Sequence, residues 1–349
     1  MDIKRDYYED VELFKTNTAL ALTVLLLAAL VALPFLVGDY TLYVLNLIAI
    51  NSIVAIGLNI LVGYTGQISL GHAGFFAIGA YSCVLLMVKG SIPFIVALPV
   101  AGLIAALFGF VLGLPSLRLE GPYLAIATLG FGMAVTQIIS HLEFTGGHMG
   151  IEAPKMAIGS LVADTGPKQY AVIIIVAVAL AIAALNLMKT RVGRAFVAIR
   201  DSDIAAEAMG INISWYKTLS FAVSAFYAGI GGALMAFALE HVSAGSFNLM
   251  LSVTFLAMVI VGGLGSVMGS ILGAALLTYL QIKLQIVQEA PWIGPFLLEV
   301  SKRYLTVEGL ANIQSIVFGA IMIAIVVFEP LGINGIYLRF KRYWRMWPF

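Results

Sequence analysis

Gly63-Tyr64-Thr65-Gly66-Gln67-Ile68-Ser69-Leu70-Gly71-His72-Ala73-Gly74 stands between two apolar runs of the chain. It carries four glycines, two small hydroxyls, a glutamine and a histidine. Each glycine costs a helix interior about 1 kcal/mol relative to alanine, so an unbroken helix through these twelve positions is not expected. If the break lies at membrane depth, its backbone must be enclosed in protein or beside a water-filled cavity, and transporters aim such broken helices at their substrates. The competing reading is a tight cytoplasmic turn whose glycines let helices approach closely. His72 by itself reads first as a hydrogen-bonded structural residue and second as a ligand or proton carrier.

The sequence around this segment places it in a membrane. Of 349 residues 61% are hydrophobic and 11% charged, with a mean hydropathy of +1.03. A soluble domain carries about 25% charged residues, and a soluble fold of this size would have no polar surface. The charges gather in a few clusters, separated by runs near the ~20 residues that cross ~30 Å of hydrocarbon. The runs do not alternate as barrel strands do. The fold class is therefore all-α integral membrane, with about ten spans at 19–37, 40–62, 72–88, 93–113, 122–140, 170–188, 216–240, 249–262, 266–282 and 312–329. No basic patch large enough for nucleic acid exists. The single cysteine, Cys83, excludes an intramolecular disulfide and a Cys-based zinc site, and reads as a small packing residue. His141, Glu143 and His148 lack the His-Glu-x-x-His spacing of a metalloprotease, so no metal and no catalytic residue is expected.

Lysine and arginine bias sets orientation. Lys189, Arg191, Arg194 and Arg200 crowd one loop and Arg339, Lys341, Arg342 and Arg345 the C-terminal end, so both are expected in the cytoplasm. The 141–169 and 283–311 segments, balanced in charge, are expected outside. This leaves a cytoplasmic segment 1–18, one transmembrane domain 19–338 with a loop at 189–215, and a basic cytoplasmic tail 339–349. The span 19–37 is expected to be a retained first helix rather than a cleaved signal.

Within that loop, Arg200-Asp201-Ser202-Asp203-Ile204-Ala205-Ala206-Glu207-Ala208-Met209-Gly210 reads as a helix of about two turns. Asp201, Ser202 or Asp203 suits the N-cap, and Gly210 fits just past the end. Ile204, Ala205, Ala208 and Met209 share one side. A helix this short is marginal in water, so it must pack on its own membrane helices or enter a groove on a partner. A weaker parallel joins Val62–Ile68 to Val261–Val267, with three of seven positions identical. It is either an internal repeat or chance between glycine-rich stretches.

The segment Gly57–Tyr81, the run Arg191–Asn212, the run Ser224–Leu234 and Val261-Gly-Gly-Leu-Gly-Ser266 together resemble the permeases of bacterial branched-chain amino acid ABC importers, of the LivM rather than the LivH type. The resemblance covers about 40–335. It implies a multi-pass inner (plasma) membrane subunit that pairs with a homologous second permease, two cytoplasmic ATPase subunits and a periplasmic or extracellular binding protein, with lipid around it. It also implies docking of the ATPase on Arg200, Asp201, Ile204, Ala205, Glu207, Ala208, Met209 and Gly210. The order Ala205-Ala206-Glu207-Ala208-Met209-Gly210 departs from the general Glu-Ala-Ala pattern followed by glycine three residues on, which blurs the individual contacts. No phosphate-binding loop of the Gly-x-x-x-x-Gly-Lys-Ser/Thr kind occurs, so no cofactor is expected on this chain and ATP belongs to partners.

A zwitterion with an aliphatic side chain needs polar groups on its path. Asn46, Asn51, Asn59, Gly63, Gly66, Gln67, Ser69 and His72 are the pathway candidates, with Ser52, Thr128, Gln137 and Ser252 as further polar positions within spans. No span carries a carboxylate pair or a Lys–Asp pair, which argues against a proton-driven pump. Glu240 and His241 fall at an outer helix end within reach of water. A urea or short-amide permease of the same family remains an alternative. A self-contained secondary transporter or channel fits the hydropathy as well, and an enzyme fits least.

Overall fold

The computed structural model describes residues 28, 30–119, 121–158, 161–162 and 166–289, with scattered positions between 319 and 343. Ten helices are labelled here in chain order. They are α1 (Asp39–Asn59), α2 (His72–Val88), α3 (Phe94–Ser116), α4 (Pro122–His141), α5 (Gly166–Lys189), α6 (Arg191–Asp201), α7 (Asp203–Ala208), α8 (Ile213–Leu239), α9 (Leu249–Gly262) and α10 (Val267–Glu289). Among the described residues seven helical stretches are long and apolar enough to cross a membrane, and α2 is a shorter apolar helix. These eight match the second to ninth expected spans. The expected spans 19–37 and 312–329, the segment 1–18 and the tail 339–349 lie wholly or largely outside the described residues.

Helices α1 and α8 form the centre. Helix α8 packs along α3, α2 and α1, while α10 and α5 flank α1 and α9 lies against α10. Ile50, Ile53, Val54, Ile56 and Leu58 of α1 are fully enclosed, as are Phe221, Ala225, Ala228, Ala233 and Leu234 of α8. In lipid there is no hydrophobic drive between helices, so association rests on close van der Waals contact through small residues. The Ser224–Leu234 run supplies them: a Cβ added to Gly79 of α2 would fall 2.3 Å from the Cα of Gly229. By contrast α3 exposes Ile95, Val96, Leu103, Leu107 and Val111 along its length, and α5 is mostly unburied. Those are lipid-facing sides.

Two features lie outside the expected pattern. Residues 191–201 form α6, an amphipathic helix that hydropathy alone passes over because only one face is apolar. Two-residue strands also occur: β1 (Ile151–Glu152) pairs antiparallel with β4 (His241–Val242), and β2 (Ala157–Ile158) with β3 (Leu161–Val162). The first pair ties the 141–169 segment to the end of α8, where Glu240 sits in the left-handed region at φ 56° and is exposed as expected.

Candidate functional site

Helix α1 does not end at the first glycine. It widens into a π turn, Ile60–Tyr64, and the helical path stops after Thr65. Residues 66–71 are non-helical and α2 starts at His72. With 17 residues at about 1.5 Å each, α2 spans only about 25 Å against the ~30 Å of hydrocarbon, so the non-helical segment completes the crossing and must satisfy its backbone within protein. It does so through small hydroxyls on two other helices, α4 and α9, and on itself. The N–H groups of Leu70, Gly71 and Ala73 donate to Thr128 Oγ1 (3.0 Å), Ser69 Oγ (3.4 Å) and Ser252 Oγ (3.0 Å). Gly66 N–H and Gln67 N–H return to the carbonyls of Val62 and Leu61. Gly66 takes a φ of 72°, a conformation L side chains rarely adopt.

The side chains of the break are themselves buried and tied to α8. Gln67 Nε2 donates to Ser220 Oγ at 2.8 Å and to Thr65 Oγ1 at 3.2 Å, and Thr65 Oγ1 donates to the carbonyl of Leu61. His72 has no exposed surface; its Nδ1 lies 3.0 Å from Ser69 Oγ and its Nε2 2.6 Å from Ser224 Oγ. Both ring nitrogens are thus occupied, and Ser69 is fully buried beside it. These two candidates hold the α2 start on α8. Gln67 differs, because its Oε1 is buried without a hydrogen-bond partner among the described residues.

Asn59 joins the two glycine-rich stretches. Its Nδ2 donates to Ser270 Oγ (2.6 Å) and the carbonyl of Ser266 (2.9 Å), with a longer contact to the carbonyl of Gly263, and its Oδ1 accepts from Gly265 N–H at 2.9 Å. The parallel stretches 62–68 and 261–267 therefore meet in space. A Cβ at Gly63 would fall 1.8 Å from Asn59 Oδ1 and 2.3 Å from Gly265 N. Only glycine lets the two turns touch.

Arg200, at the end of α6, reaches this junction. Its Nη1 donates to the carbonyl of Gly63 at 3.1 Å, while Nε and Nη2 form a fork on Asp201 Oδ1 at 3.0 and 2.8 Å. Helix α6 is held by Phe196 and Ile199, both buried. Ser202 then serves as the N-cap of α7, accepting from Ala205 N–H at 3.3 Å, and Gly210 follows at φ 80°. Within α7 only Ala206 is buried. Ile204 is 84% exposed and Met209 83%, and Ala205, Glu207 and Ala208 are exposed too. The expected apolar side exists, and it does not pack on the described spans. Lys217 Nζ, one turn into α8, pairs with Asp203 Oδ2 at 2.5 Å and fixes α7 against the bundle.

Two cavities accompany these elements. One, of about 250 Å³, lies at the junction, lined by Gln67, Arg200, Asp203, Lys217, Leu124 and Ile199 among others. A second, of about 270 Å³, lies between α1, α8, α9 and α10 and combines Asn51, Thr254, Thr278 and Gln281 with Leu47, Leu251, Met258 and Ile282. There Asn51 Nδ2 donates to Thr278 Oγ1 at 2.9 Å. Of the polar positions expected along a path, only Asn51 reaches this second cavity; Asn46 is buried on α1 with its Oδ1 unpartnered among the described residues. Thr254, Thr278 and Gln281 escaped the sequence reading because single polar residues in apolar runs carry no periodic signal.

Comparison with known proteins follows the same outline. A family model for the permease component of branched-chain amino acid transport systems matches residues 40–326. The high-affinity branched-chain amino acid transport system permease protein LivM of Escherichia coli is 38% identical over 279 residues, 73% of this chain and 66% of that protein. The corresponding protein of Salmonella typhimurium is 37% identical over 72% and 65%. The chain thus covers slightly under two thirds of the length of these relatives. A probable LivM of Methanocaldococcus jannaschii is 25% identical over 80% of this chain and 89% of its own. A solved structure, PsaBC from Streptococcus pneumoniae in complex with Fab, shares 12% identity at a TM-score of 0.42, a likeness too slight to bear on the arrangement.

Proposed function

We propose a function for this chain from the family to which it belongs, the permease components of branched-chain amino acid transport systems. It is a subunit of an importer for branched-chain or related aliphatic amino acids in the inner (plasma) membrane. A homologous second permease completes the pathway, two separate ATPase subunits supply the energy, and a binding protein delivers the substrate. Asp201 to Gly210 is the docking element for the ATPase. The observation that carries this reading is the bare edge of α7 and its C-cap: Ile204 and Met209, two large apolar side chains exposed at 84% and 83%, on a six-residue helix whose single buried residue is Ala206. A helix so short needs a second surface to stay formed, and helix-in-groove docking supplies one.

The mid-span cavity supports the substrate class. Amides and hydroxyls meet the ends of a zwitterion without a fixed charge to trap it, and Leu47, Leu251, Met258 and Ile282 meet an aliphatic side chain. Those apolar walls favour a branched-chain amino acid over urea or a short amide, which has no alkyl group to bury.

The test is Ala208→Arg. Co-purification of ATPase subunits should be lost while membrane insertion is unchanged; retained co-purification would overturn the docking assignment. Uptake of labelled leucine, competed by isoleucine but not by urea, tests the substrate class.

A further inference from the structure

The cavity at the junction has a chemistry that the pathway reading does not use. Its floor is built from buried residues, Gln67 at 5%, Leu124 at 3% and Ile199 at 2% exposure, and its rim from Arg200, Asp203 and Lys217. Gln67 borders the cavity; its Nε2 is engaged by Ser220 and Thr65, and its Oε1 is buried away from the cavity space without a partner among the described residues. Beside it, Asp203 offers a carboxylate, while Lys217 and Arg200 offer cationic donors. Lys217 has three donors and spends one on Asp203.

Acceptors for an ammonium and donors for a carboxylate thus lie around one space of about 250 Å³, and Leu124 and Ile199 provide an apolar wall. A simple anion would meet the Asp203 carboxylate; a simple cation would meet Arg200 and Lys217. Only a ligand with both charges uses the whole set. By charge bias this side is cytoplasmic.

We propose that this cavity is a cytoplasm-facing binding site for a free α-amino acid zwitterion with an aliphatic side chain, separate from the mid-span cavity. The ammonium goes to the Asp203 carboxylate, and the carboxylate to Lys217 and Arg200. The proposal rests on the reading of the chain as an aliphatic amino acid permease. Because Ile199, Arg200 and Asp203 belong to α6 and α7, an occupant touches the element assigned to docking.

The test is cysteine protection in the assembled transporter, in nanodiscs with neither ATP nor binding protein, on a Cys83→Ala background. Leu119→Cys and, separately, Ser116→Cys place a thiol on the cavity wall. L-Leucine at ten times its Kd should slow labelling by a small aqueous thiol reagent about tenfold. Isocaproate, which lacks the ammonium, and isoamylamine, which lacks the carboxylate, should not, and Lys217→Gln should abolish the protection. Equal protection by isocaproate would make the cavity an anion site and overturn the proposal. So would absence of protection, or no labelling at either cysteine. Leucine uptake by cells carrying the wild-type chain is read in parallel: if it is absent the transport reading itself fails, whereas normal uptake without protection removes only the cavity site.

Discussion

Arg200 Nη1 donates to the carbonyl oxygen of Gly63 at 3.1 Å, across 137 residues of sequence. The bond links the end of α6 to the turn where α1 stops, so the broken helix is tied to the helix that precedes the proposed docking element. The same guanidinium holds Asp201 through a two-pronged contact. A movement of α7 imposed from the cytoplasm would therefore be felt at Gly63, next to Asn59 and the 263–266 turn.

Lysine cannot serve both partners at once, because its ammonium lacks the planar fork. Arg200→Lys should therefore behave nearly like Arg200→Ala. A half-exposed charged contact contributes up to about 1 kcal/mol, so both variants should insert and keep the wild-type melting temperature within a few degrees. Uptake should nonetheless fall about fivefold in each, as measured with labelled leucine in cells. Full uptake with Arg200→Ala would show that the contact transmits nothing.

Asn59 is the stability centre of the junction. Asn59→Leu leaves the half-buried Gly265 N–H without its partner and takes one of two hydrogen bonds from Ser270 Oγ, which keeps the carbonyl of Ser266; an unsatisfied group costs about 1–3 kcal/mol. The expected result is a lower melting temperature in detergent and poor yield. Asn59→Asp should do no better, since a carboxylate cannot donate to the carbonyl of Ser266.

Gly63→Ala forces a methyl group against Asn59 Oδ1 and Gly265 N, whereas a methyl on Gly130 meets nothing within 4 Å. The first should destabilise by more than about 3 kcal/mol and the second should be neutral. Thermal unfolding of the two variants side by side gives the comparison.

Ile204→Ser and Met209→Ser should leave the melting temperature unchanged and weaken ATPase co-purification, because both side chains are exposed. Ala206→Arg should do the reverse in order: it places a charge in a site 2% exposed and should unseat α7 before any partner arrives. If Ile204→Ser lowers the melting temperature as much as Ala206→Arg, the exposed edge is misassigned.

Cysteine at Gln67 should react with small aqueous thiol reagents, since that side chain lines a cavity, and cysteine at Ser69 should not, being fully buried beside His72. Equal protection of both would mean that the whole break only packs.

What the sequence determined by itself is the class and the placing of the spans. Twenty apolar residues without charges have one stable home, and that argument is local; it located the eight described spans to within a few residues and the break at 63–74. The ends of α7 were legible in part, because caps act within a single turn: three residues suited the N-cap, of which the fold uses Ser202, and Gly210 follows the C-cap Met209. What only the tertiary structure decided is which polar residues share a space. Asn59 lies more than 200 residues from its partners in 263–270 and Gln67 more than 150 from Ser220. An isolated asparagine or threonine in an apolar run looks the same whether it faces a cavity, a neighbouring helix or its own backbone. Thr254, Thr278 and Gln281 came to line one cavity only when α9 and α10 folded beside Asn51. Ser69 and His72, as prominent in sequence as Gln67, became packing residues because α8 brought Ser224 against the ring. In a membrane bundle, hydropathy positions each helix along the normal, but its rotation is set by contacts that no single segment contains.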